Sequence, residues 1–168
     1  PAWQAYFGRI SSHFLSMTRE HHVYTRHIDP QERTSLSVLA GKIRPGSRVL
    51  DLGCGPGVLG QHLHQRLGCT VDGVTFSVEE AALARPHYRD VTVADLENIN
   101  LAEAFLLRQY DYIVCADVLE HLRRPEQLLA DCRALRAENG QILVSIPNAG
   151  HCGLVMELMQ GELRYREE

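Results

Sequence analysis

The chain has 168 residues, the length of about one domain, and its 45% hydrophobic and 23% charged residues are the balance of a globular fold, not of a disordered or fibrous one. Seventeen Lys and Arg against twenty-one Asp and Glu leave a net charge of -4 with no basic block, which disfavours nucleic acid as the main partner. No apolar run approaches the roughly 20 residues of a membrane span and no signal core follows the N-terminus, so a cytoplasmic setting is the expectation.

From Trp3 to Met17, apolar residues recur at steps of three and four, which predicts a helix with one greasy face, either packed on the domain, or closing over a ligand site or meeting a partner subunit. Residues 1 to 28 are therefore read as an N-terminal helical segment. Within it His21, His22 and His27 have no acid or thiol at ligand spacing, so no metal is expected. His62 and His64, two apart on a predicted helix, point to different faces and form no clamp. Asp29-Pro30-Gln31-Glu32 combines a capping residue, a first-turn proline and an acid, and predicts a helix that carries Leu36, Val38 and Leu39 and ends near Gly41.

After a turn at Arg44 to Ser47, five strand-like runs follow: "RVLDLG" (48 to 53), "TVDGVTF" (70 to 76), "VTVAD" (91 to 95), "YDYIVCAD" (110 to 117) and "QILVSIP" (141 to 147). Helical patterns lie between them at Val58 to Leu67, Val78 to Ala84 and Pro125 to Ala137. This alternation predicts an α/β, Rossmann-like doubly wound sheet of five parallel strands covered on both faces. Ligands of such sheets sit beyond the carboxyl ends of the strands. Those ends carry Asp51 to Gly57, Thr75 to Ser77, Asp95, Ala116 to His121, and Pro147-Asn148. The cysteines Cys54, Cys69, Cys115, Cys132 and Cys152 are odd in number, form no C-x-x-C pair and read as reduced thiols.

"LDLGCGPGVLG", Leu50 to Gly60, holds two overlapping glycine patterns. Gly55, Gly57 and Gly60 spell the G-x-G-x-x-G of a dinucleotide loop, but two residues late for the strand, and Pro56 offers no N–H to a phosphate. The other pattern is Asp51-x-Gly53-x-Gly55-x-Gly57, with a carboxylate at the strand end. A carboxylate there suits an ammonium group and repels a pyrophosphate.

On these residues the chain resembles the class I S-adenosylmethionine-dependent methyltransferases. "DVLEHL" at Asp117 to Leu122 and "VTVADLEN" extend the likeness, which covers about residues 20 to 168. It is nearest to bacterial domains associated with polysaccharide or glycan synthesis, "SIPNAGH" and "LMQGELRYREE" being part of that likeness. The resemblance implies S-adenosylmethionine as cofactor and methyl transfer to an oxygen or nitrogen of a small molecule or sugar. Alternatives are an inactive cofactor-binding domain that regulates or positions a fused enzyme, and, less favoured, an NAD-dependent oxidoreductase. A fusion partner or a homodimer is compatible with either main reading.

The resemblance also implies site roles. Asp51, Gly53, Cys54 and Gly55 lie at the amino acid end of the cofactor, Thr75 and Phe76 at its ribose and adenine, and Asp95 and Leu96 at the adenine rim. Ala116 and Leu119 flank the methionine arm, and Tyr24 and Arg33 fold over from upstream. Asp117, Glu120 and His121 are the catalytic candidates, with His121 the favoured base because its ordinary pKa lies nearest neutrality; Glu120 and His121 equally suit a role in ordering the loop. Two features depart from the family. Thr75 stands where relatives carry the acid that grips the ribose hydroxyls, which implies weaker binding or a substitute ligand from a nearby side chain. The antiparallel pair that completes the sheet is missing after five strands, and the chain starts at Pro1, so the domain over residues 29 to 168 is expected to be truncated or part of a longer protein.

Overall fold

The computed structural model describes residues 34 to 148 together with Ile28, Gly150 and Met159. The expected helix over 3 to 17, the cap at Asp29, the histidines of the N-terminal segment, Tyr24 and Arg33 lie outside those residues. Among the described residues no helix is long and apolar enough to cross a membrane, and no group of three His, Cys, Asp or Glu is placed to hold a metal.

Helix α1 (Ser35–Ala40) is capped by Thr34, whose hydroxyl accepts from the Ser37 N–H at 3.1 Å. Then come β1 (Arg48–Leu52), α2 (Val58–Leu67), β2 (Thr70–Thr75), α3 (Val78–Ala84), β3 (Asp90–Val93), α4 (Leu101–Ala104), β4 (Tyr110–Ala116), α5 (Pro125–Leu135) and β5 (Arg136–Ser145), with short 3-10 turns at Arg85–His87 and Leu119–His121. The strands are parallel and ordered β3-β2-β1-β4-β5. Alternate residues of each strand feed two cores. Val49, Val71 and Val114 pack with Leu39 of α1, Leu59 and Leu63 of α2 and Ala81 of α3. Leu50, Leu52 and Ile113 pack with Leu101 of α4 and Leu128 and Cys132 of α5. Strand order reverses between β1 and β4, which places the ligand crevice at their carboxyl ends.

Each strand ends one or two residues before the expected run, and the largest difference lies between α5 and β5. Helix α5 stops at Leu135, because Arg136 turns extended (φ -76°, ψ 129°) and pairs opposite Tyr110 while Gln141 pairs opposite Tyr112. The intervening bulge is closed by the Arg136 guanidinium, whose Nη1 donates to the carbonyls of Ala137, Glu138 and Gly140 at 2.8 to 3.3 Å. Helix α4, a single turn capped by Asn100, is too short to show a period. The apolar run of β2 also hides Asp72, which is fully buried and accepts from Tyr110 Oη (2.6 Å), Arg89 Nε (2.9 Å) and Arg108 Nη1 (3.3 Å). A buried charge persists when paired and hydrogen-bonded in this way.

Tyr88, just past the 3-10 turn that follows α3, inserts its ring between α2 and the sheet. A Cβ on Gly60 would lie 2.1 Å from the ring atoms Cε2 and Cζ, and Cβ atoms on Gly57 and Gly73 would come within about 3 Å of it. Three glycines thus seat one aromatic ring. Gly60→Ala should destabilise the protein by about 2 to 3 kcal/mol in urea unfolding, through overpacking. In a Tyr88→Ala background the same change should become neutral or stabilising, because alanine is the better helix former once the ring is gone. An unchanged cost in both backgrounds would refute this account of Gly60.

Candidate active site

Asp51 is the penultimate residue of β1, on the sheet face that meets Tyr88, and is 2% exposed. The Tyr88 hydroxyl donates to Asp51 Oδ2 at 2.7 Å and itself accepts from the Gly60 N–H at 3.0 Å. Burial pushes the Asp51 carboxyl up to about 6 from an ordinary 3.8, and the Tyr88 hydrogen bond partly offsets the rise. Burial and the nearby Asp51 charge keep Tyr88 a protonated donor well above its ordinary range.

The loop after β1 settles which glycine pattern matters locally. Gly53, Gly55 and Gly57 all take positive φ (76°, 51° and 90°), a region that favours glycine. The N–H groups of Gly53 and Cys54 both donate to the Val74 carbonyl, at 2.8 and 2.9 Å, and sew the loop to the end of β2. Gly60 does not belong to this turn; its role is to seat Tyr88. The backbone therefore follows the Asp51-x-Gly53-x-Gly55-x-Gly57 pattern.

Above the loop opens a cavity of about 670 Å³, within the range of small-molecule sites. It brings together Asp51, Gly53, Cys54, Gly55, Thr75, Phe76, Asp95, Leu96, Ala116, Asp117, Glu120 and His121. Leu119 is the exception among described candidates. The 3-10 turn Leu119–His121 presents Glu120 and His121 to the cavity, while Leu119 packs toward the α5 core and lines a neighbouring hollow with Pro125, Leu129 and Ile146. Pro56, Val118 and Pro147, read from the sequence only as parts of the strand-end segments, also line the cavity, and the sequence reading missed Leu36, Val58, Leu59, Glu80, Ala94, Glu97 and Leu122.

Several of these polar groups are already held. Asp117 sits at φ 54°; its N–H donates to the carbonyl and hydroxyl oxygens of Ser145, at 3.2 and 3.1 Å, and its Oδ1 accepts from the Ser145 hydroxyl at 2.7 Å. This ties the end of β4 to β5. Asp95 accepts from the Glu97 N–H (2.9 Å) and from Asn98 Nδ2 (2.8 Å), closing the turn after β3. Glu97 in turn accepts from the Arg123 N–H. Thr75, 3% exposed, donates its hydroxyl hydrogen to Glu80 Oε2 at 2.7 Å. Burial, with the charges of Asp51 and Glu80, drives the Cys54 thiol far above its ordinary range, which disfavours the thiolate.

The lining carries six carboxylates, Asp51, Glu80, Asp95, Glu97, Asp117 and Glu120, and among the described residues no Lys or Arg. Such a cavity attracts a cation and repels a phosphate. Its apolar walls, Leu36, Leu59, Leu96 and Leu122 among them, suit a ligand that is mostly carbon with a cationic centre.

Residues 24–167 match the methyltransferase domain family. The chain belongs to it. A ubiquinone biosynthesis O-methyltransferase of Actinobacillus pleuropneumoniae is 33% identical to this methyltransferase domain over 113 residues, 61% of this chain and 47% of that protein. The enzyme of the same description from Burkholderia thailandensis is 35% identical over 108 residues, 62% and 46% of the two chains. The chain spans about half the length of the curated relatives it matches. Among solved structures, coclaurine N-methyltransferase bound to N-methylheliamine and SAH aligns with a TM-score of 0.55 at 25% identity over 70% of this chain and 39% of that one. A TehB-like SAM-dependent methyltransferase from Corynebacterium glutamicum aligns with a TM-score of 0.58 at 19% identity over 96% and 83%. The curated relatives named here belong to ubiquinone biosynthesis, which corrects the likeness to glycan-associated domains to the broader family.

The raised pKa of Asp51 gives the free domain a pH-dependent stability. Protonation of Asp51 contributes stability that is present below about pH 4 and lost as pH rises through about 6. Asp51→Asn should therefore unfold with roughly 2 to 3 kcal/mol more stability than wild type at pH 7.5 and with no such gain at pH 4. Urea midpoints at the two pH values check this; an equal difference at both would contradict it.

Proposed function

We propose that this domain binds S-adenosylmethionine in the cavity above Asp51 and transfers its methyl group to an oxygen of a small-molecule acceptor. The observation that carries the proposal is the cavity itself: a buried carboxylate at the end of β1, under a turn of three positive-φ glycines, in a lining of carboxylates with no Lys or Arg among the described residues. Asp51 and the glycine turn take the amino acid end, and Phe76, Asp95 and Leu96 take the adenine end. The same lining disfavours an NAD-type cofactor, whose pyrophosphate would meet several negative charges. Oxygen is favoured over nitrogen because the curated relatives are named as O-methyltransferases.

When bound, the cofactor supplies an electrophilic methyl whose bond to sulfur breaks as the bond to the acceptor oxygen forms. The domain's residues hold the acceptor in line and take its proton. His121 is the base in this proposal. It is exposed, lines the cavity and is held on the 3-10 turn by its N–H, which donates to the Val118 carbonyl at 3.1 Å. Asp117 is less suited, because its carboxylate accepts from Ser145 and ties two strands together.

His121→Gln should lower the single-turnover rate of methyl transfer to hydroxyl-bearing acceptors by about 10² to 10⁴, with the affinity for S-adenosylhomocysteine unchanged. An unchanged rate would remove His121 as base. Acceptor-independent behaviour of the wild type, binding without transfer across such acceptors, would favour the inactive cofactor-binding domain instead.

A further inference from the structure

Strand β2 ends on Thr75, a single hydroxyl at the position where the family resemblance implies a carboxylate. That hydroxyl is already committed as a donor to Glu80 Oε2 at 2.7 Å. Glu80 stands in the first turn of α3, where its N–H donates to the capping hydroxyl of Ser77 at 3.2 Å. Its other carboxylate oxygen faces the glycine turn: a Cβ on Gly55 would lie 3.9 Å from Glu80 Oε1. The Glu80 carboxylate is thus held from β2, anchored on α3 and turned into the cavity beside Phe76.

A carboxylate offers about four acceptor positions on two oxygens, and Thr75 occupies one of them. The others suit two adjacent hydroxyls, to which a threonine with its hydrogen already donated offers a single neutral oxygen. An aspartate at position 75 would instead bring two carboxylates into contact, with strong repulsion. The Thr75 and Glu80 pair is therefore self-consistent: a hydroxyl closes the strand end, and the acid it binds stands five residues on, in α3. We infer that Glu80 is the residue that grips the vicinal diol of the cofactor ribose, and that Thr75 positions it. This rests on the cofactor proposed above.

Calorimetric titration with S-adenosylhomocysteine and with its 2′-deoxy analogue tests the assignment. Glu80→Gln should weaken binding of the natural compound by roughly 10- to 100-fold, the range of one or two hydrogen bonds to a charged group. The 2′-deoxy analogue should bind wild type more weakly than the natural compound, yet bind Glu80→Gln no worse than the natural compound does. Thr75→Val should weaken binding less than Glu80→Gln does, and Thr75→Ser should restore it. Thr75→Asp should weaken binding in the wild-type background, and should rescue it in the Glu80→Gln background by returning the acid to the strand end. Tighter binding by Thr75→Asp alone, or wild-type affinity in Glu80→Gln, overturns the role of Glu80 and leaves the cofactor proposal standing. No binding to wild type overturns both. The Thr75→Asp result decides the question even where Glu80→Gln fails to fold.

Discussion

The phenol of Tyr88 reaches Asp51 Oδ2 through the core at 2.7 Å, and much of the local architecture exists to let it do so. Gly57, Gly60 and Gly73 leave room for the ring from three different elements. The backbone N–H of Gly60 donates back to the phenol oxygen, so α2 is pinned to the same hydroxyl that holds the carboxylate. A buried acid with a pKa raised to about 6 costs the free domain stability. A group kept at such a cost at the floor of a cavity points to a ligand that compensates it.

The polarity of the cavity follows from where the sheet ends. Parallel strands bring Asp51, Thr75, Asp95 and Asp117 to one side, and the turns that follow add Glu80, Glu97 and Glu120. Several of these acids also hold the loops that carry them: Asp95 closes its own turn, Glu97 accepts from Arg123, and Asp117 ties β4 to β5. The cavity is acidic partly because its walls are built with carboxylates as acceptors. Asp72, within β2, is neutralised by two guanidinium groups and hydrogen-bonded by a phenol, whereas no Lys or Arg lines the cavity among the described residues. Charge is cancelled where it serves the core and left uncancelled where a cationic ligand would sit.

Periodic features were legible in the sequence. Helices at 58 to 67 and 78 to 84 run where the three- and four-residue steps place them, and the five apolar runs became five parallel strands. The clustering of strand-end residues into one cavity was legible too, because chain alternation dictates it. Features that depend on distant partners were not. Gly60 looks like part of a phosphate loop until Tyr88, 28 residues on, is seen against it. Glu80 reads as an ordinary first-turn acid, since nothing in "SVEE" shows that Thr75 holds it over the glycine turn. That Leu119 lines the neighbouring hollow while Glu120 and His121 line the cavity follows from the 3-10 turn over Leu119–His121, which the sequence does not show.

In the proposed function a buried, titratable Asp51 selects the ammonium group at the amino acid end of the cofactor. Titration calorimetry of S-adenosylhomocysteine between pH 5 and 8, in two buffers of different ionisation enthalpy, tests it most directly. Binding should tighten as pH rises through about 6 and release protons below that value, and Asp51→Asn should abolish both effects. Affinity independent of pH across this range, or a melting temperature raised by NAD and not by S-adenosylhomocysteine, would contradict the account.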